Sequence, residues 1–248
     1  MIAVVLVFGL IIGSFLNVCI YRIPRGKSII YPSSSCPVCG VRIKWYDNIP
    51  VLSYILLKGR CRSCKSKISP VYPIVELLTA IYTVLMYLKF GLGIDFAFYL
   101  IFGYMLIVGS FIDFFHYIIP DRISIGLAIV GLVYGFVMHE LVHSLIGFAF
   151  GFILLLLVAI LGKAIFKKDA MGGGDIKLLG ALGTFVGIKG VLFTLFAASL
   201  LGSFVGIVLI ALGKTSVSQR IPFGPYLSLS AILYIFMGYQ IITKIYGV

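Results

Sequence analysis

The chain has 248 residues, 61% of them hydrophobic and 11% charged, with a mean hydropathy of +1.16. Those values exclude an ordinary soluble domain, in which about a quarter of the residues are charged. The formal net charge of +12 invites a nucleic-acid reading, but the placement of the basic residues along the chain points to membrane topology and anionic lipid headgroups instead.

Apolar stretches approaching the roughly 20 residues needed to cross a bilayer recur at 2–21, 71–88, 95–112, 122–138, 143–162, 176–188, 190–211 and 225–243. The expected fold is an all-α polytopic membrane protein of about eight transmembrane helices. The sixth is short and Gly-rich, as a half-helix satisfied by protein neighbours would be. The first stretch has no basic segment before it and runs into Asn17, Cys19 and a basic loop. It is therefore expected to remain as a helix and not to be cleaved as a signal peptide. Loops 22–70, 113–122, 163–177 and 212–223 carry 17 of the 20 Lys and Arg, leaving Lys89, Lys189 and Lys244 for the opposite side. By the positive-inside rule those four loops face the cytoplasm and both termini lie outside it. Gly147 and Gly151, like Gly202 and Gly206, stand at the small-xxx-small spacing that lets helix backbones approach closely.

Three segments follow from this pattern: a first span over 1–21, a polar insertion over 22–70, and a membrane core over 71–248. The insertion holds Cys36-Pro-Val-Cys39 and Cys61-Arg-Ser-Cys64, two C-x-x-C knuckles 21 residues apart. Four thiolates complete the closed tetrahedral shell of a structural zinc site. Paired disulfides are the alternative, but a loop in the reducing cytoplasm rarely keeps them. Zinc would fold a segment with little apolar core of its own. Cys19, inside the first span, reads as a buried thiol without a ligand role.

Two aspartates stand at span ends, Asp113 closing the third and Asp175 opening the sixth. A carboxylate is costly near hydrocarbon, so one found there is expected to face a polar cavity and act in it. Two carboxyls that share one water hold one proton between them and work as base and acid together. Gly172, Gly173 and Gly174, just before Asp175, leave room for a substrate backbone and are expected to permit a strained turn into the helix. Asp121, after Pro120, reads as a cap for the fourth span, and Lys177 as an anchor at the headgroup level.

Two rival readings compete. His139-Glu140-Leu-Val-His143 is an H-E-x-x-H string, which on a helix would set two imidazoles around zinc with a glutamate as base, the centre of an intramembrane metalloprotease. It falls in the outer connection between the fourth and fifth spans, without an obvious third ligand. An ion-coupled transporter would place acids near the bilayer centre and break helices in matching halves. Neither sign is evident in the sequence.

Several motifs together resemble the bacterial type IV prepilin peptidases: Gly13-Ser-Phe-Leu-Asn17-Val-Cys-Ile-Tyr-Arg-Ile-Pro24, the knuckles at 36/39 and 61/64, Tyr72-Pro-Ile-Val-Glu76, Asp113 with Ile119-Pro-Asp121, and Met171-Gly-Gly-Gly-Asp-Ile-Lys-Leu-Leu-Gly180. The resemblance covers nearly the whole chain. It implies a GxGD-type aspartic endopeptidase of the bacterial cytoplasmic membrane that removes the basic leader of type IV prepilins or type II secretion pseudopilins, cutting after a glycine at the cytoplasmic face. The catalytic aspartates of the family fall on Asp113 and Asp175, which makes 71–248 the peptidase core. Many members also methylate the new amino terminus with S-adenosylmethionine, an activity associated with the cysteine-loop part of the chain. No residues for the methyl donor are recognisable, and Glu76 is a candidate for holding the substrate's new amine.

Overall fold

A computed structural model describes residues 1–167, 171–213 and 221–238. Among the described residues there are eight α-helices: α1 (Ile2–Arg22), α2 (Leu52–Leu56), α3 (Val71–Phe90), α4 (Ile94–His116), α5 (Asp121–Val137), α6 (Leu141–Phe166), α7 (Gly173–Ala211) and α8 (Gly224–Leu233). Among the described residues there is no β-strand, only two isolated bridges in the cysteine loop, Ser35 with Arg42 and Arg60 with Lys67.

Among the described residues five helical stretches are long and apolar enough to cross a membrane: Ile2–Arg25, Val71–Phe90, Ile94–His116, Leu141–Ile165 and Gly173–Ala211. The eight expected spans map onto these and onto two shorter elements. α7, at 39 residues, would be roughly 58 Å long if straight, about twice a bilayer core. Gly187 breaks it with φ 62° and ψ −173°, a conformation open to glycine and strained for any other residue. The predicted spans 176–188 and 190–211 are therefore the two arms of α7. α5 has only 17 residues, and the apolar stretch at Gly224–Met237 is shorter still. Residues 239–243 of the predicted last span lie outside the described residues.

The chain divides into two compact units, Met1–Val108 and Gly109–Val248. In the first, α1 packs along α3 through Gly9, whose Cα faces Ala80 and Thr83, and Gly13, which meets the backbone of Glu76. Buried threonines on α3 bond back to their own helix, Thr79 donating to the Val75 carbonyl and Thr83 to the Thr79 carbonyl, and Thr83 Oγ1 also lies 2.8 Å from the Tyr104 hydroxyl. Asn17 Nδ2 donates to the Tyr72 carbonyl at 3.0 Å, tying α1 to the start of α3.

The second unit is joined by backbone contact between glycines. Gly147 of α6 meets Gly183, and Gly151 meets Leu179 and Gly180, both on α7. Gly202 and Gly206 face Tyr226 and Ile221. Both glycine pairs thus serve packing, as their spacing implied. With lipid as apolar as a leucine side chain, close backbone approach and dispersion are what hold such helices together.

Candidate active site and metal centre

The four knuckle cysteines converge. Their sulfurs all lie within 4.8 Å of one another, and Cys36 Sγ stands 3.8 Å from Cys64 Sγ. A zinc ion about 2.3 Å from each sulfur of a tetrahedron requires sulfur–sulfur edges of about 3.8 Å, so this donor set fits zinc. The two knuckles are built alike. Gly40 N–H donates to the Cys36 carbonyl at 2.9 Å, and Lys65 N–H to the Cys61 carbonyl at 3.0 Å. Both closing residues have positive φ, +70° for Gly40 and +59° for Lys65. The turn aims amides at sulfur: those of Cys39 and then Val38 lower the Cys36 thiol to about 6. Hydrogen bonds from Ser66 lower that of Cys64. Thiolates are the metal-binding form, so these bonds favour it at Cys36 and Cys64, whereas at Cys39 the Val41 amide is outweighed by desolvation and the neighbouring thiols, which push it up to about 11. Among the described residues this is the one cluster of three or more Cys, His, Asp or Glu side chains suited to a metal.

Glu76 belongs to the same unit. It is buried in α3, and its Oε2 accepts the Val51 N–H at 2.8 Å, with the Ser14 hydroxyl also bonded to the carboxylate. That commits one of its oxygens to the loop.

Both aspartates lie in the second unit. Asp113 sits in the last turn of α4, only 5% exposed. A carboxylate there faces the negative end of its own helix, and the compensating donor comes from elsewhere: Gly224 N–H, at the positive start of α8, bonds to Asp113 Oδ2 at 3.0 Å. Asp175 is the third residue of α7. Its carboxyl interacts with the Gly172 amide and electrostatically with Asp113, while its Oδ1 is buried without a hydrogen-bond partner. Ile119 adjoins both acids' supports. The methyl that an alanine would carry at Gly174 falls 3.0 Å from Ile119 Cβ, and one at Gly224 falls 2.9 Å from Ile119 Cδ1 and 2.8 Å from Asp113 Oδ2.

Three expectations need correction. None of Gly172, Gly173 and Gly174 has positive φ, so the turn into α7 is unstrained. Gly174 is required for space against Ile119, Gly172 lies against Asp175 Oδ2, and Gly173 has nothing within 4 Å. Asp121 does not cap α5; Pro120 occupies the cap and Asp121 pairs with Lys177 at 2.7 Å. The H-E-x-x-H string does not lie on one helix face. His139 is in a turn at φ +61°, Glu140 is the residue before α6, and only His143 is helical, its ring against Gly187. Two imidazoles one turn apart on a helix are what the metalloprotease reading demands, and they are not formed.

Gly224 went unmarked in the sequence. The available signal was Gly224-Pro225 at the start of an apolar run, since proline favours the first turn of a helix. The side chain on which that turn would close, 111 residues away, has no local trace.

Fold and site together define a polytopic helical membrane protein with two interacting carboxyl side chains and a four-cysteine loop. Residues 7–90 match the bacterial Peptidase A24 N-terminal domain and residues 100–207 the type IV leader peptidase family. The chain is 33% identical to the prepilin leader peptidase/N-methyltransferase of Pseudomonas aeruginosa over 97% of its own length and 91% of that protein. It is 35% identical to the protein of the same name from Aeromonas hydrophila, over 95% and 90%. A Myxococcus xanthus protein of that name is 38% identical over 84% of this chain, a stretch covering 63% of the relative. The chain belongs to the type IV leader peptidase family, among the prepilin leader peptidase/N-methyltransferases. No solved structure matches it.

Proposed function

We propose that this protein is a membrane aspartic endopeptidase that removes the basic leader of type IV prepilins or pseudopilins after a glycine, at the cytoplasmic face of a bacterial inner membrane. In this reading Asp113 and Asp175 share one proton and activate a water between them, and the pair acts as base and acid in turn. One observation carries it: Asp175 Oδ1 is buried without a partner in the unit where Asp113 is held by a single backbone donor. A carboxylate oxygen without a protein partner, on an acid that interacts with Asp113, is open to a water and a shared proton, which a helix cap does not need. The basic leader stays in the cytoplasm while the apolar pilin helix lies laterally among the spans, which puts the scissile bond at the depth of the span ends.

The same protein then methylates the new amino terminus with S-adenosylmethionine. Its first unit carries the four-cysteine site, whose donors suit structural zinc, and the zinc orders the loop against α3. The test is incubation of purified protein with a prepilin and a labelled methyl donor, followed by mass measurement of the product's amino terminus. Wild type yields the shortened, methylated product. Asp113→Asn and Asp175→Asn yield neither shortening nor methylation of the intact precursor, and a product cleaved normally by either variant removes the acid pair from the mechanism.

A further inference from the structure

We infer that Gly224 is a positioning residue for the carboxyl pair, acting through its amide and through the absence of a side chain. The inference rests on the reading of Asp113 and Asp175 as the reacting acids.

The fold makes two demands at this point. Asp113 is buried in the last turn of α4, where the carbonyl end of the helix repels its charge. Without a donor its carboxylate would turn toward the nearest polar atom or away from the site. The first N–H of α8 supplies that donor at 3.0 Å, and the unpaired amides of a helix start suit an anion. A side chain there would defeat the arrangement, since a methyl at Gly224 would stand 2.8 Å from Asp113 Oδ2 and 2.9 Å from Ile119 Cδ1. Both separations are well inside van der Waals contact, so either the carboxylate or the isoleucine must move by several tenths of an ångström. Pro225 stands in the first turn of α8, where its fixed φ suits the start of the helix.

Substitution at Gly224 therefore misplaces a reacting group. A reacting geometry displaced by about 1 Å costs on the order of a hundredfold in rate, and the shift forced here is a fraction of that. Gly224→Ala is expected to lower kcat for prepilin cleavage by about tenfold or more, with KM within about twofold.

Ile119→Val separates positioning from packing, because it removes the Cδ1 that the new methyl would strike while leaving Asp113 Oδ2 in place. Each alanine variant is compared with its own parent: Gly224→Ala with wild type, and Gly224→Ala/Ile119→Val with Ile119→Val. Positioning predicts the same fall in kcat in both backgrounds and an unchanged thermal unfolding midpoint in the doubly substituted protein. Recovery of kcat in the Ile119→Val background would make Gly224 a packing residue and overturn the inference. Full activity of Gly224→Ala, measured beside inactive Asp113→Asn, would overturn it too while leaving the acid pair standing. An active Asp113→Asn would instead remove the reading on which it rests.

Discussion

Glu76, buried inside α3, accepts the backbone N–H of Val51 at 2.8 Å, and Val51 is the centre of a three-residue turn that Leu52 N–H closes onto the Pro50 carbonyl. With φ 61° and ψ −49°, that turn has the rare and strained form of its class. For a β-branched residue such a backbone costs about 1–3 kcal/mol and persists only where its surroundings hold it. The carboxylate of α3 is what holds it, and it fastens the cysteine loop to a membrane helix. Glu76→Ala leaves the Val51 amide without its acceptor, at about 1–3 kcal/mol, whereas Glu76→Gln keeps a carbonyl oxygen for it. Amide hydrogen exchange over residues 51–56 is therefore expected to accelerate by one to two orders of magnitude in the alanine variant, and little in the glutamine one. Equal exchange in both would show that the bond does not hold the loop.

The three glycines before Asp175 are expected to differ sharply on substitution. A methyl at Gly173 meets nothing within 4 Å; at Gly172 it stands 3.1 Å from Asp175 Oδ2, and at Gly174 3.0 Å from Ile119 Cβ and 3.4 Å from its backbone. Overpacking of a rigid site costs about 1–3 kcal/mol. Gly173→Ala should cleave prepilin within about twofold of wild type, while Gly174→Ala falls by about tenfold or more. Equal losses at 173 and 174 would mean that all three serve the substrate backbone and none serves Ile119.

Much of this was legible in the chain. Span limits followed from hydropathy because lipid imposes a minimum apolar length, and they fall within a few residues of α1, α3, α4, α5 and α6. The four-cysteine cluster was legible because four thiols at two fixed spacings leave few other uses for cysteine. What the sequence withheld was contact between distant residues: Gly224 with Asp113, Val51 with Glu76, and Lys177 with Asp121. Asp121 and Lys177 each looked like residues of a helix end, and each is one, yet the partner that fixes them is on another helix. The strain expected at Gly172–Gly174 is not there, whereas Val51 takes a strained φ of 61° that nothing in the local sequence marks.

The paired knuckles offer an internal comparison. Gly40 and Lys65 occupy equivalent left-handed positions, and neither a methyl at Gly40 nor any steric conflict there enters the balance. The left-handed conformation costs a non-glycine residue about 1–2 kcal/mol. Gly40→Ala should therefore weaken zinc binding by up to about tenfold in a competition titration, and Lys65→Gly should strengthen it by a similar or smaller factor, part of the gain being lost to the flexibility of glycine in the unbound loop. No change in either variant would mean that the loop reaches this geometry only as metal binds.

Metal removal distinguishes the two proteolytic chemistries that the sequence raised. If the carboxyl pair cleaves and the four cysteines hold zinc for structure alone, Cys39→Ser and Cys61→Ser lower the bound zinc from about one equivalent per chain toward none. Residues 22–70 then become readily cut in limited proteolysis, because a segment in which Cys36 is the one buried apolar residue keeps little structure without its ion. His139→Ala and His143→Ala leave both zinc content and prepilin cleavage within about twofold of wild type, since the helix that would align two imidazoles is not formed at His139. If, as proposed, methyl transfer belongs with the four-cysteine unit and cleavage with Asp113 and Asp175, the Cys variants lose methyl transfer first, while cleavage survives with the second unit, Gly109–Val248. Abolition of cleavage by His143→Ala, with the cysteine-bound zinc still in place, would return the catalytic role to a metal.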